Sequence, residues 1–405
     1  MAVHLSGDTS GIQIGFENLC NAYPYIVSGL NEEIVVSQLP LNSRYNLEID
    51  YHDGNVCLSY HRNCDFFRGL GHLASTNIPA KLQERARYEK GGVMLDVSRD
   101  AVYTIKQLKE FLAWQALCGL NTCYLYMEDT YELKGYPYFG YLRGRYTQEE
   151  LMELDAFADS LGIELIPCIQ TLAHLTTTLK WDYAAVMRDT PNTLLVGQEE
   201  TYKFVYEMLR QLRKVFRTNR IHIGMDEAMD LGTGVYLRKF GVADQFELMM
   251  QHLTRVTQMA QELGWLPIIW DDMFYRSKNQ NLEYYAPETV LTPEDIAKVP
   301  TNVQLVYWDY YHNTQAEYDC LLEKRKDLPN DLIFAGGIWK WNGWVPNYGK
   351  TFTATRAAMA ACRNHRVDEI VATMWGDNGG EAVLHTVWPG LILFGQCIYD
   401  APEDD

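Results

Sequence analysis

The chain has 405 residues, 47% of them hydrophobic and 13% aromatic, a composition that builds a large packed core and argues against disorder. The balance of 35 basic against 53 acidic residues gives a formal charge of −18, which repels phosphate backbones and anionic bilayers, so neither nucleic acid nor membrane is expected as a partner. The 9 cysteines include no C-x-x-C pair and read as reduced, buried thiols, with neither a disulfide framework nor a zinc site.

No run reaches the roughly 20 apolar residues of a membrane span. The start, MAVHLSGDTSGIQIGF, lacks a basic stretch followed by an apolar one, so the chain reads as soluble and cytoplasmic. Residues 1–88 read as a small α+β accessory domain. Tyr45, Leu47, Ile49 and Tyr51 alternate, Asp53-Gly54 breaks the run, and Val56, Leu58 and Tyr60 alternate again. That is the pattern of a β-hairpin. The stretch after it, FFRGLGHLASTNIPAKLQERARY, is expected to be helical.

From residue 89 to 405 the pattern changes to short apolar runs separated by helical segments. The runs are VMLDV (93–97), TCYLYM (122–127), IELIPCI (163–169), RIHIGM (220–225), LPIIW (266–270), VQLVYW (303–308), LIFAGGI (332–338) and EIVATMW (369–375). Between them, Thr104 with Gln107, Thr147 with Glu150 and Asp244 with Glu247 have capping-box spacing, and Thr292-Pro293 opens another helix. Val205, Met208, Leu209 and Leu212 recur at helical spacing. Eight strand–helix units fit a (β/α)8 TIM barrel. A doubly wound open sheet is the alternative, but no glycine-rich nucleotide loop follows any strand.

In a barrel the chemistry sits where the strands end. Those ends carry Asp96, Glu128-Asp129, Gln170, His174, Asp226-Glu227, Trp270-Asp271-Asp272, Trp308-Asp309-Tyr310, Trp339 and Trp375-Gly376-Asp377. Aromatic faces suit the C–H surfaces of a sugar ring and carboxylates suit its hydroxyls. The adjacent pair is the hardest feature to explain. Strict alternation puts Asp226 on one strand face with His222 and Gly224, and Glu227 on the other. A lone pair of this kind often has one acid capping a helix and the other solvated. Both reach one pocket only if the strand turns, which Gly224 and the following LGTG permit.

HIGMDE, residues 222–227, resembles the H-x-G-x-D-E signature of family 20 glycoside hydrolases, the β-N-acetylhexosaminidases. GGVMLDVSRD, NTCYLYMEDTYEL, the segment ending IPCIQTLAHL, PIIWDDM and MWGDN are similar to that family's first, second, third, fifth and eighth barrel strands. The likeness spans about residues 90–390 and is to the compact, intracellular members. It implies an exo-hydrolase that removes terminal non-reducing β-linked GlcNAc or GalNAc from an oligosaccharide or glycoconjugate, with no cofactor and no metal. In that family the substrate's 2-acetamido oxygen attacks the anomeric carbon, an exception to the two-carboxylate scheme.

By this resemblance Glu227 is the acid and base, and Asp226 accepts the acetamide N–H. Trp270, Trp308 and Trp375 wall the acetamide pocket, with Trp339 a weaker member. Tyr310 stands in for a tyrosine the family carries on its seventh strand. Asp377 replaces a longer glutamate at the sugar's outer hydroxyls, and an arginine used there falls at Gly91. His174 and Asp129 form a relay that orients Glu227, while His222 is structural. The alternatives are a catalytically silent carbohydrate-binding barrel and a metal-dependent barrel hydrolase.

Overall fold

The computed structural model describes residues 3–52, 55–75, 80–99, 101–377 and 380–400. Its first strands are β1 His4–Gly7, β2 Glu33–Gln38, β3 Leu47–His52, β4 Asn55–Tyr60 and β5 Lys81–Ala86. The expected hairpin forms, with Leu47 opposite Tyr60, Ile49 opposite Leu58 and Tyr51 opposite Val56. Its Asp53-Gly54 turn lies outside the described residues. Leu47, Ile49, Val56, Leu58 and Tyr60 are fully buried together with Phe66, Phe67 and Leu70 of the helix Asn63–Leu73.

The stretch expected to be helical is so only in its first part, and its residues 76–79 lie outside the described residues. The helix ends at Leu73 and Lys81–Ala86 is β5, antiparallel to β3. Lys, Leu, Gln, Glu, Arg and Ala are all good helix formers. Here the open hydrogen-bonding edge of β3 and the pairing of Glu84 with Arg68 outweigh that preference, and tertiary context decides.

Eight parallel strands follow: β6 Lys90–Asp96, β7 Thr122–Tyr126, β8 Glu164–Cys168, β9 Arg220–His222, β10 Leu266–Trp270, β11 Gln304–Trp308, β12 Leu332–Gly337 and β13 Glu369–Met374. They close as a barrel in chain order, with β13 beside β6, which excludes the open-sheet alternative. Helices between the strands begin where the sequence places them. Thr104, Thr147 and Thr292 each cap and are capped in return. The Asp244 side chain also caps its helix, but the Glu247 carboxylate is drawn to Lys298 at 2.6 Å instead of closing a box.

The small sheet has the order β1-β2-β4-β3-β5-β14, where β14, Tyr399–Asp400, comes from the far end of the chain. It therefore draws on both sides of residue 88. Arg68 joins the two parts: Nε and Nη2 bond the Glu84 carboxylate at 2.5 and 2.7 Å, and Nη1 donates to the Cys118 carbonyl at 2.9 Å behind the helix Ile105–Leu117. The Tyr399 ring lies under the guanidinium at 4.2 Å.

At the N-terminal ends of the barrel strands, Arg220 is held by Glu369, by Tyr124 at 2.8 Å and by Glu164 at 3.2 Å. That network closes the floor, so the solvent-facing chemistry is left to the other rim. Among the described residues, no helix is long and apolar enough to cross a membrane.

Removing one partner of a buried ion pair leaves an uncompensated charge. Glu84→Ala is therefore expected to lower the unfolding free energy by about 3 kcal/mol in urea melts at neutral pH. Although burial opposes it, Arg68 and His72 hold the Glu84 carboxyl down at about 2, from 4.5. A lowered acid stabilises above its unfolded value and loses that effect as pH falls. The melts of variant and parent should accordingly converge between about pH 4.5 and 2.

Candidate active site

β9 is short. After His222 the chain leaves strand geometry, and Gly224, Met225 and Glu227 all have positive φ, +70°, +72° and +50°. Any residue with a Cβ at position 224 would meet Gln170 Oε1 at 2.0 Å and the Ile169 carbonyl at 2.7 Å. Only glycine fits so close an approach. The turn is pinned from three sides. Gln170 Oε1 accepts the Met225 N–H at 3.2 Å, Asp272 Oδ2 accepts the Glu227 N–H at 3.0 Å, and His222 Nδ1 accepts the Gly224 N–H at 3.1 Å. Burial pushes His222 down to about 3, so its ring is neutral and able to accept.

This bend brings Asp226 and Glu227 to one pocket of about 550 Å³, open to solvent. Trp270, Trp308, Tyr310, Trp375, Asp377 and His174 also line it, as the sequence reading expects. Trp270 is at the end of β10 and Trp308 at the end of β11, whereas Trp375 follows β13. The Trp270 and Trp375 rings lie 6.0 Å apart at 52°, and Tyr310 stacks on Trp308 at 5.4 Å. Trp375 Nε1 donates to the Tyr310 hydroxyl at 3.1 Å.

Three expectations need correction. Trp339 does not line the pocket: it stacks behind Trp341 at 4.6 Å and donates to the Tyr310 carbonyl, so Trp341 supplies that wall. Asp129 does not pair with His174. Its carboxylate takes the Arg143 guanidinium at 3.2 Å, a cation the sequence reading did not weigh. Finally, a side chain at Gly91 would not face the mouth. Gly91 lies near the start of β6, against Ile398. The cation at the mouth is Arg99, three residues beyond Asp96.

Arg99 bonds Asp96 at 3.2 Å and Asp377 at 3.3 Å, approaches Glu128 at 3.8 Å, and lies over the Trp375 ring at 5.2 Å. Asp96 also accepts the Gly376 N–H at 2.8 Å, tying the first strand's end to the last. Arg99, Tyr311 and Trp341 are pocket residues that sequence reasoning missed. The signal for Arg99 was present as SRD just past the strand, on a loop whose direction strand alternation does not give. Asp271 and Asp309 are consumed elsewhere, by Arg325 at 2.6 Å and by His312 at 2.6 Å.

The charges are unevenly shared. Burial alone would raise Asp226, but the His174 imidazolium and the Gln170 amide, which donates at 2.8 Å, hold its carboxyl at about 2. Burial opposes the proton on His174, yet Asp226 at 3.2 Å and Glu227 at 3.6 Å lift it to about 9. Arg276 stands 3.6 Å from the other Glu227 oxygen. The carboxyl driven up beside the pair is Asp272, to about 7, by burial and by the Asp226 charge. So cations flank the pair and a third acid takes the like-charge penalty. Among the described residues, no group of three or more His, Cys, Asp or Glu is arranged to hold a metal ion.

Residues 88–324 match the sequence profile of glycosyl hydrolase family 20, catalytic domain. A hexosaminidase D of Bos taurus is 26% identical over 296 residues, 70% of this chain and 77% of its own length. A hexosaminidase D of Homo sapiens is 29% identical over 220 residues, 51% of this chain and 42% of its own. The beta-N-acetylhexosaminidase of Bacteroides fragilis has the same fold, with a TM-score of 0.73 at 16% identity over 100% of this chain and 88% of its own. So has an exo beta-N-acetylglucosaminidase of Vibrio harveyi solved with N-acetylglucosamine, at 0.72 and 15% over 100% and 71%. The profile ends before Trp341, Trp375 and Asp377, which the closed barrel brings to the same rim. With the profile matched over more than half its length and the paired carboxylates at the mouth of such a barrel, the chain belongs to glycosyl hydrolase family 20.

Proposed function

We propose that this glycoside hydrolase is an exo-acting, retaining β-N-acetylhexosaminidase that releases terminal non-reducing β-linked GlcNAc or GalNAc from oligosaccharides or glycoconjugates. One observation carries the reading: a left-handed bend presents two adjacent carboxylates to a single aromatic-walled pocket. An ionised Asp226 suits an acetamide N–H and the positive charge that develops on the ring. Glu227, with 39% of its side chain exposed, stands where a leaving group departs to solvent.

In the first step the acetamide oxygen bonds to the anomeric carbon. The bond to the leaving oxygen breaks, and Glu227 gives that oxygen its proton. The oxazolinium ion so formed is opened by water at the same carbon, with Glu227 taking the water's proton, and the β configuration is restored. Trp270, Trp308, Trp375 and Trp341 exclude water around the acetamide. Because the Tyr310 oxygen already accepts from Trp375, its own O–H is free to donate to the acetamide oxygen. Arg99 and Asp377, paired at 3.3 Å, suit the outer hydroxyls. All 9 cysteines are free, which supports a reducing, cytoplasmic setting.

Three outcomes are expected. Glu227→Gln should cut hydrolysis of an alkyl N-acetylglucosaminide by about 10²–10⁴-fold while the protein still melts cooperatively; unchanged turnover removes it from the acid role. In a panel of chromogenic substrates, N-acetyl-glucosaminide and N-acetyl-galactosaminide should be cleaved and the glucoside lacking the amide should not, and equal rates on all three sink acetamide participation. The third outcome concerns pH. His174 is charged below about 9, so, beyond the fall set by loss of the Glu227 proton, kcat/KM should fall more steeply as pH rises through that value and Asp226 loses its counter-ion. His174→Gln should lack this added steepness, as read from full pH–rate profiles.

A further inference from the structure

We propose that Asp272 and Arg276 act together as a positioning pair for Glu227, one holding its backbone and the other its carboxylate. The inference rests on reading Glu227 as the acid. It concerns two residues that do not line the pocket, Asp272 at a strand end and Arg276 one helical turn beyond it. Both lie on the short helix Asp272–Arg276 that leaves β10.

Asp272 Oδ2 accepts the Glu227 N–H at 3.0 Å and Arg276 Nε at 3.1 Å. Arg276 is itself anchored, Nη1 donating to the Leu282 carbonyl at 3.0 Å, and its guanidinium lies over the Tyr284 and Trp308 rings at 5.7 and 5.9 Å. Its remaining nitrogen is 3.6 Å from Glu227 Oε1. One carboxylate and one guanidinium thus grip a residue at two points, and that residue has φ of +50°. For a glutamate this conformation is uncommon and persists only when its surroundings impose it.

The pair is a poor way to stabilise the fold. Asp272 is fully buried and its Oδ1 has no hydrogen-bond partner. A bare buried carboxylate oxygen is destabilising, and natural cores retain few of them. Burial and the charges of Asp226 and Glu227 raise its pKa, with only Arg276 and the Glu227 N–H opposing. An apolar residue of similar volume would pack there without that penalty. What it would not do is hold the Glu227 N–H and the Arg276 fork in register, and a displacement of about 1 Å at a reacting group lowers rate by about 10²-fold.

The test separates proton donation from general damage. In the full chain, Asp272→Ala and Arg276→Gln are assayed on two N-acetylglucosaminides. One carries a dinitrophenolate leaving group, which departs without a proton, and the other an alkyl aglycone, which needs one. Loss of positioning should lower kcat/KM, which reports the steps through departure of the leaving group, on the alkyl substrate by about 10²-fold and on the dinitrophenyl substrate by less than about 3-fold. Asp272→Asn keeps an acceptor for the Glu227 N–H and should recover at least about 10-fold of the alkyl loss. An equal fall on both substrates, or Asp272→Asn no better than Asp272→Ala, overturns the proposal. Should Asp272→Ala fail to fold, the same split in Arg276→Gln decides. If the parent cleaves neither substrate, the proposed function fails; if the parent cleaves both and the variants show no leaving-group bias, only the positioning role does.

Discussion

The site depends on one backbone event: between His222 and Glu227 the chain abandons strand alternation for three residues of positive φ. A straight strand sends neighbouring side chains to opposite faces. Two adjacent carboxylates face one cavity only where that rule is broken. The break needs a residue without a Cβ at 224, because Gln170 and the Ile169 carbonyl occupy the space. It also needs acceptors for the amides the bend exposes, which His222, Gln170 and Asp272 supply. Positive φ recurs around the rim at Glu128, His174 and Asp377. Strain of this kind gathers where geometry serves chemistry and the surrounding barrel over-determines it.

A second constraint is electrostatic. The chain carries −18 overall, yet cations hold its acid-rich mouth together. His174 sits between Asp226 and Glu227, Arg99 bridges Asp96 and Asp377, and Arg276 joins Asp272 to Glu227. Each carboxylate at the rim therefore has a distinct environment. Asp226 is driven to the charged form, and Asp272 and Glu128 are raised to about 7 by burial. Pushing neighbouring acids apart in this way is how one site holds a proton on one group and a charge on another.

Most of the architecture was legible from spacing. All eight apolar runs became barrel strands, and the capping threonines opened the helices they were expected to open. These features are local, and local periodicity reports them. Legibility stopped where partners came from far along the chain. Lys81–Ala86 has helix-forming residues but pairs with β3. Asp129 looked like a partner for His174 but meets Arg143. Trp339 and Trp341 are two residues apart in one loop, and their order in the sequence does not say which one faces the cavity.

By itself the sequence determined the fold class, the hairpin, the strand ends that form the rim, and Asp226 and Glu227 as the residues around which a site would be built. Hydrophobic period and strand-end chemistry are written residue by residue, so they survive without coordinates. Only the tertiary structure decided that Asp226 and Glu227 share a cavity, that Arg99 rather than a residue at 91 brings the cation, and that Asp272 and Arg276 stand behind the pair. Loop direction, φ beyond a strand's last residue and the sharing of charge among side chains from different strands arise from packing the closed barrel. Spacing along the chain does not carry them.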